Sequence, residues 1–340
     1  MTSIHETAYP RFKPDLTQRE LDEIYTPNET EQRFARRLGR SNASRLYLMI
    51  LLKTVQRLGY FPMVADVPPS IVSFVTKALG LKLVPLCALV EEEKSRSRRD
   101  FIDAIRAHLK IHPITKDTDK AIELAATQAA QTKQELADII NVIIEELIRQ
   151  RYELPAFSRL NRTAFRIRNQ VNELYYHTLT DPLPAAVTSQ FDAMLTLSAG
   201  QLVTGWQQIK QDPKKPTNTE VRQYLERVKW LKSWACELPQ VDHIPVVKRG
   251  QYVYEARALD AADLKAMQQN KRYALMVLLF HAQLSKALDD AVDIFVRKMR
   301  KLHSGALEQL QLYYQEHQKR AEKLVSQLRD VLEAFQEGET

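Results

Sequence analysis

The sequence predicts an all-α protein: successive helix-turn-helix-type helical modules followed by long packed helices, with at most one short β-hairpin. Three observations carry this. Glycine is scarce, 8 residues in 340, against a usual share of about 7%, so hairpin turns have few places to form. Apolar residues recur at helical spacing through most of the chain. Thr-x-x-Glu capping boxes stand at Thr17/Glu20, Thr132/Glu135 and Thr217/Glu220. In each, the Thr oxygen and the Glu carboxylate can satisfy the free amides of a first helical turn.

These signals place helices near 17–25, 30–38, 42–58, 69–79, 85–93 and 97–110. Leu58-Gly59-Tyr60-Phe61-Pro62 stops the third and Pro68-Pro69 opens the fourth. His112-Pro113 closes a first helical module, residues 1–113. Helices near 118–131, 133–150 and 156–178 form a second, helix-turn-helix module (114–182), closed by Asp181-Pro182-Leu183-Pro184.

Residues 183–260 are a mixed helical and linker region, with a helix near 219–235 and the exposed linker Lys214-Lys215-Pro216. From Ile244 to Tyr254 the pattern alternates around Arg249-Gly250, as a hairpin or a short irregular loop would. In 261–340, Val277, His281, Leu284, Leu288, Ala291, Phe295 and Met299 step by four and three. So do His317, Ala321, Leu324, Leu328, Val331 and Phe335. This predicts two long helices broken at Ser304-Gly305, packed as a helical hairpin or extended coil, with intramolecular packing favoured over dimerisation.

Composition narrows the function. The 49 Lys+Arg against 42 Asp+Glu give a net charge of +7, a modest excess whose distribution matters more. Arg33, Arg36, Arg37 and Arg40 stand at i, i+3, i+4 and i+7, one helix face, and no acid interrupts the run to Arg45. Lys94, Arg96, Arg98, Arg99, Arg106 and Lys110 outnumber Asp100 and Asp103, and six Arg between 149 and 168 face one acid, Glu153. Such runs favour polyanion binding, with solvated helix faces as the alternative. The two cysteines, Cys87 and Cys236, have no paired spacing, which points to a reducing cytoplasm. Met1 to Pro10 has no signal-peptide core, and the longest proline-free apolar runs (Leu46–Leu52, Ala274–Phe280) are seven residues, where a membrane span needs about 20. A cytoplasmic protein with no membrane partner is expected.

Two helices divide their faces as DNA readers do. In 156–178, Phe157, Leu160, Ala164, Ile167, Val171 and Leu174 form an apolar stripe, while Arg159, Arg162, Arg166 and Asn169 line another face. Arg suits guanine O6/N7 and phosphate, and Asn suits adenine N6/N7. The helix before it and the turn Tyr152-Glu153-Leu154-Pro155 complete a helix-turn-helix. In 97–110, Phe101, Ile102, Ile105 and Leu109 face inward and Arg99, Arg106 and Lys110 outward. Lys94, Arg96 and Arg98 crowd its N-terminus, where backbone amides also favour phosphate.

Ser41-Asn42-Ala43-Ser44-Arg45-Leu46, Leu58-Gly59-Tyr60-Phe61-Pro62 and Val67-Pro68-Pro69-Ser70-Ile71-Val72 together resemble the start of transposases of the TnA class of replicative bacterial transposons. Lys271-Arg272-Tyr273-Ala274-Leu275 and Asp289-Asp290-Ala291-Val292-Asp293-Ile294-Phe295 resemble a later stretch of that family, in the same order. Leu154-Pro155 and Leu183-Pro184 fall between them where the family has similar dipeptides. The resemblance spans roughly the whole chain. It implies a region that recognises the transposon's terminal inverted repeats, with double-stranded DNA, the rest of the transposase and a second copy of it as partners. The family cuts and joins strands on a magnesium-dependent, RNase H-like core. No alternating strand–helix pattern for such a core occurs here, so the chain is expected to be non-catalytic, without cofactor or metal, and to correspond to the family's N-terminal third.

Competing chemistry has less support. Asp289-Asp290-x-x-Asp293 matches the magnesium–diphosphate motif of all-helical isoprenoid synthases, but no second acidic motif accompanies it; an acid cluster paired with Arg297, Lys298, Arg300 or Lys301 is the plainer reading. His108 and His112 have zinc-pair spacing without the Glu of His-Glu-x-x-His, and His281 sits on an apolar stripe as a satisfied core histidine would. No phosphate-binding glycine loop and no Gly-x-Ser-x-Gly occurs. A helical scaffold or oligomerisation module that never touches DNA remains the alternative from another class.

Overall fold

A computed structural model describes residues 2–82, 84–197, 202–211 and 218–337. Among these residues the protein is all-α, fifteen α-helices and two short 3₁₀ turns without a strand. It divides into two compact units, Met1–Tyr175 with Ile244–Gln251, and Tyr176–His243 with Tyr252–Thr340.

In the first unit, helix α1 (Gln18–Tyr25) starts at the expected Thr17/Glu20 box. Asn28 and Glu31 cap α2 (Glu29–Leu38), and Ser41 and Ser44 cap α3 (Asn42–Leu58). The chain leaves α3 through Gly59 at φ 74, a left-handed position that glycine takes at least cost. Leu46 to Leu52 are all at most 1% exposed. A helix that is apolar all round must be buried, so α3 is the centre about which α4 (Pro69–Ala78), α5 (Leu86–Lys94) and α6 (Ser97–Leu109) pack. The core admits one charge pair. Lys53 Nζ lies 3.0 Å from Glu31 Oε2, with side chains 8% and 4% exposed, and Gln56 donates to the same carboxylate at 2.8 Å. Burial alone would raise the Glu31 pKa, but the bonds from Gln56, the Asn28 amide and Lys53 outweigh it and hold the carboxyl below its usual value.

A second core lies among α7 (Lys116–Ala130), α8 (Leu136–Arg149) and α9 (Phe157–Thr180), filled by Ile122, Ile139, Ile143, Leu147, Leu160 and Ala164. The N-terminal segment joins this core rather than the first, with Tyr9 buried in it and Ile4 packed against it. The Thr132/Glu135 box does not form. Thr132 and Lys133 instead bond back to the Ala129 carbonyl, prolonging the last turn of α7, and Glu135 precedes α8 with no capping bond from its side chain. The apolar stripe of α9 is buried from Leu160 to Val171, with Phe157 half-buried before it and Leu174 61% exposed after it.

The second unit contains α10 (Ala185–Met194), α11 (Gly205–Ile209), α12 (Asn218–Glu237), part of α13 (Val246–Ala258), α14 (Ala261–Ala266) and α15 (Gln269–Glu337). Phe191, Trp234 and Phe280 stack at its centre, with ring centroids 5.4 Å (Phe191–Trp234) and 4.9 Å (Trp234–Phe280) apart. Three expectations are corrected here. Ile244 to Tyr254 does not form a hairpin: α13 runs through it, its buried Lys248, Tyr252 and Ala256 stepping by four. Ser304-Gly305 does not break a helix either. Helix α15 is continuous for 69 residues, because one glycine among strong helix formers costs only about 1 kcal/mol. Of the expected stripe of α15, only Val277 is fully buried. Phe280, Gln283, Ala287 and Ile294 are buried, while Leu288 and Phe295, each one residue further on, are exposed; Tyr224 on α12 holds this orientation by donating to Asp290 at 3.0 Å. From Phe295 to Phe335 no residue of α15 is buried, so it makes no helical hairpin with itself. Lys214-Lys215-Pro216 and Thr217 of the third box lie outside the described residues.

Candidate nucleic-acid interface

The basic residues separate into two groups once partners are assigned. Arg33, Arg36 and Arg37 are exposed on α2. The helix ends at Leu38, so Arg40 does not continue their face; it is exposed in the bend that follows. Arg45 is not part of the face: its guanidinium donates to the Gly39 carbonyl at 2.9 Å, closing the α2–α3 corner. Arg33 makes a long pair with Glu29, 3.5 Å, and Arg37 lies over the Phe34 ring.

Around α6 the division is sharper. Arg98 is pinned, donating to Tyr47 Oη and Glu93 Oε1, each at 2.6 Å. Burial pushes the Tyr47 phenol up to about 12, the nearby Arg98 charge only partly offsetting it. Arg106 does not face outward as expected. It bonds Glu153 Oε2 through both Nε (3.1 Å) and Nη2 (2.6 Å), and Glu153 is 9% exposed. Lys94, Arg96, Arg99 and Lys110 are exposed, Lys110 in the left-handed conformation that ends α6. Arg36, Arg40, Lys94, Arg96, Arg99 and Lys110 have no ion-pair partner among the described residues.

Packing brings parts of this set together. Ser41 Oγ donates to Glu92 at 3.4 Å, joining the corner after Arg40 to the end of α5, where Lys94 lies. Phe34 stacks on His108 at 4.6 Å, tying α2 to the last turn of α6. Arg36, Arg37, Arg40, Lys94, Arg96 and Arg99 thus belong to neighbouring edges of one small module.

The α9 face is less free than its sequence suggests. Arg159 pairs with Asp119, and Arg166 pairs with Glu123, both acids on α7. Asn169 accepts a bond from Arg168 at 3.3 Å. Arg162 alone of the four is exposed and without a partner among the described residues. The connection between α8 and α9 is residues 150–156, longer than the 3–4-residue turn of a compact helix-turn-helix. One residue escaped sequence reasoning: Phe165 is 45% exposed, at i+3 from Arg162 and i−4 from Asn169, with Arg168 over its ring at 5.3 Å. The signal was that spacing, masked by the apolar stripe beside it.

No group of three or more His, Cys, Asp or Glu is placed to hold a metal among the described residues. Asp289 and Asp293 are exposed and Asp290 takes the Tyr224 bond. Arg297 bonds the Asp293 carbonyl rather than its carboxylate. His281 Nε2 lies 2.9 Å from the Pro239 carbonyl, so this half-buried histidine has a hydrogen-bond partner, as expected. Both cysteines are free and exposed, and no helix of the described residues is long and apolar enough to cross a membrane.

These features define a class, an all-α protein with an unpaired cationic surface on small packed helical modules. Comparison with known proteins narrows it. A family described as a domain of unknown function, DUF4158, matches residues 1–167. The transposase for transposon Tn501 of Pseudomonas aeruginosa is 25% identical, over 92% of this chain and 31% of its own length. The transposase for transposon Tn3926 of Escherichia coli is 27% identical, over 87% of this chain and 30% of its own length. The transposase for transposon Tn21 of Escherichia coli is 24% identical over 66% of this chain. The chain is similar to these transposases over most of its own length. It spans about a third of the length of these curated relatives (31% and 30% for the first two).

Proposed function

We propose that this chain binds the terminal inverted repeats of a replicative transposon as double-stranded DNA, and that strand cleavage and joining belong to the rest of the transposase. The observation that carries the reading is the set of exposed cations without internal partners, Arg36, Arg40, Lys94, Arg96 and Arg99, with Arg37 beside them. A lysine or arginine already bonded to a carboxylate must break that bond to meet a phosphate; an unpaired one releases only its counterions. In this reading the α2, α5 and α6 surface grips phosphates, and α9 reads bases through Arg162 and Asn169, with Phe165 against a thymine methyl. Arg159 and Arg166, held by acids of α7, supply orientation. That the chain spans only about 30% of the length of its curated relatives supports a non-catalytic role for this portion.

The test is a titration of the chain against duplexes carrying candidate transposon ends and against scrambled duplexes, at several salt concentrations. Footprints confined to the ends, with affinity falling steeply in salt, are expected. Equal affinity for ends and scrambled sequence refutes specific recognition, and absence of salt-sensitive binding refutes DNA as the partner. A second copy of the chain is the further partner we infer. Leu324, Leu328, Val331 and Phe335 recur at helical spacing on α15 and are each more than half exposed, a stripe that a like helix can cover. Sedimentation should then register association that Leu324→Asp with Leu328→Asp abolishes.

A further inference from the structure

We propose that the connection between α8 and α9 is a joint that sets the spacing between the two DNA-contacting surfaces, with Tyr9, Arg106 and Glu153 as its positioning residues. This rests on the DNA-binding reading above and adds a constraint on which sites the chain accepts. In a free helix-turn-helix the turn touches little beyond its own two helices. Here residues 151–155 are held by three separate segments. The His112 amide donates to the Arg151 carbonyl at 2.8 Å, and the Glu153 amide returns a bond to the His112 carbonyl at 3.0 Å. The Leu154 amide donates to the Gly59 carbonyl at 2.8 Å. Tyr9 Oη donates to the Pro155 carbonyl at 2.9 Å.

Side chains lock the same segment. Arg106, on the helix that carries Arg99, makes its two bonds to Glu153 and lies over the Phe61 ring at 5.6 Å. The Tyr9 ring packs between Tyr60 (5.5 Å) and Phe157 (5.6 Å), the first residue of α9. Leu154 sits so close to Gly59 that a Cβ there would stand 3.0 Å from its Cδ1. The N-terminal strap continues along the second core, where the Ala8 amide donates to Asn141 Oδ1 at 2.7 Å and Asn161 bonds the Thr2 carbonyl at 3.4 Å. The two hydrophobic cores are otherwise distinct sets of residues. Bonds from 112, 59, 106 and 9 converge on five consecutive residues, and so fix α9 against the module that carries Arg36, Arg37, Arg40 and Arg99. Two readers at a fixed separation gain avidity only on DNA with matching separation; a loose joint trades affinity for tolerance.

The test has two arms. In a Cys236→Ser background, spin labels on native Cys87 and on Gln128→Cys report the distance between α5 and α7. A narrow distribution is expected, broadened by Tyr9→Ala with Arg106→Gln and restored by Tyr9→Phe with Arg106→Lys; a distribution that stays narrow in the first variant overturns the joint. In the second arm, the site that the unaltered chain selects from random duplexes is lengthened by half a helical turn between its two protected segments. The chain should lose about tenfold or more in affinity and the loosened variant a few-fold at most. Equal losses overturn the proposal even where DNA binding stands. If the unaltered chain enriches no duplex, the DNA-binding reading fails, whatever the labels report. Arg106→Gln alone, with melting followed by circular dichroism, covers a double variant that does not fold.

Discussion

Replacing Arg36, Arg37 and Arg40 together by Ala should flatten the salt dependence of DNA binding and weaken binding to every sequence alike. The size follows from their surroundings. All three are exposed and none has a carboxylate at ion-pairing distance among the described residues, so a phosphate gains the whole charge without displacing an internal partner. Each such contact contributes about 0.9 to the slope of log K against log salt, so three lost contacts lower it by about 2.7. Between about 50 and 200 mM salt, the gap between the variant and the unaltered chain should therefore narrow roughly 40-fold. Arg45→Gln and Arg98→Gln are the internal controls. Their guanidinium groups are bonded to the Gly39 carbonyl and to Glu93 and Tyr47, so they should lower the melting temperature and leave the slope nearly unchanged. Anisotropy titrations with a labelled duplex, repeated across the salt series, measure all of these. An unchanged slope in the triple variant removes α2 from the interface. A slope lowered equally by the controls refutes the argument from ion pairing.

On α9 the sign reverses. Asp119→Asn with Glu123→Gln should raise affinity for DNA of any sequence several-fold, because it frees Arg159 and Arg166 from exposed pairs worth at most about 1 kcal/mol each; the same titration showing no gain would leave these arginines outside the interface. In the first core, Lys53→Met should cost about 3 kcal/mol in urea unfolding, the low end for breaking a buried pair, since Gln56 and the Asn28 amide still donate to Glu31. Adding Glu31→Gln should recover most of that loss. The same carboxyl makes stability depend on acid. Its folded pKa lies below the unfolded value, so its contribution is complete above about pH 4.3 and is lost as pH falls through the folded value. The double variant, lacking both charges, should show less of this acid dependence.

Much of the fold was legible because its causes are local. The apolar run Leu46–Leu52 and the helix stop at Gly59 mark α3 with no reference to the rest of the chain. The same holds for the Thr17/Glu20 start of α1 and for Pro69 at the opening of α4. Caps, turn glycines and amphipathic period act within a few residues, so a linear reading finds them. Residues 244–254 misled because alternation around Arg-Gly satisfies a strand pattern as well as a helix face. Tertiary burial of Lys248, Tyr252 and Ala256 chose the helix. In α15, the partner helix α12 decided which of two adjacent stripes turned inward.

The candidate interface was legible in kind and not in detail. Counting charge along the chain located the basic helices, since composition and periodicity are properties of sequence. Which cations remain free is a property of space. Arg106 meets Glu153 across 47 residues, Arg159 meets Asp119 across 40, and Arg166 meets Glu123 across 43. An ion pair acts over a few ångströms and is blind to separation along the chain. The sequence by itself therefore determined an all-helical chain with arginine clustered on identifiable helices. Only the tertiary structure decided which arginines are paired with acids, which remain without an ion-pair partner among the described residues, and that the N-terminal strap belongs to the second core.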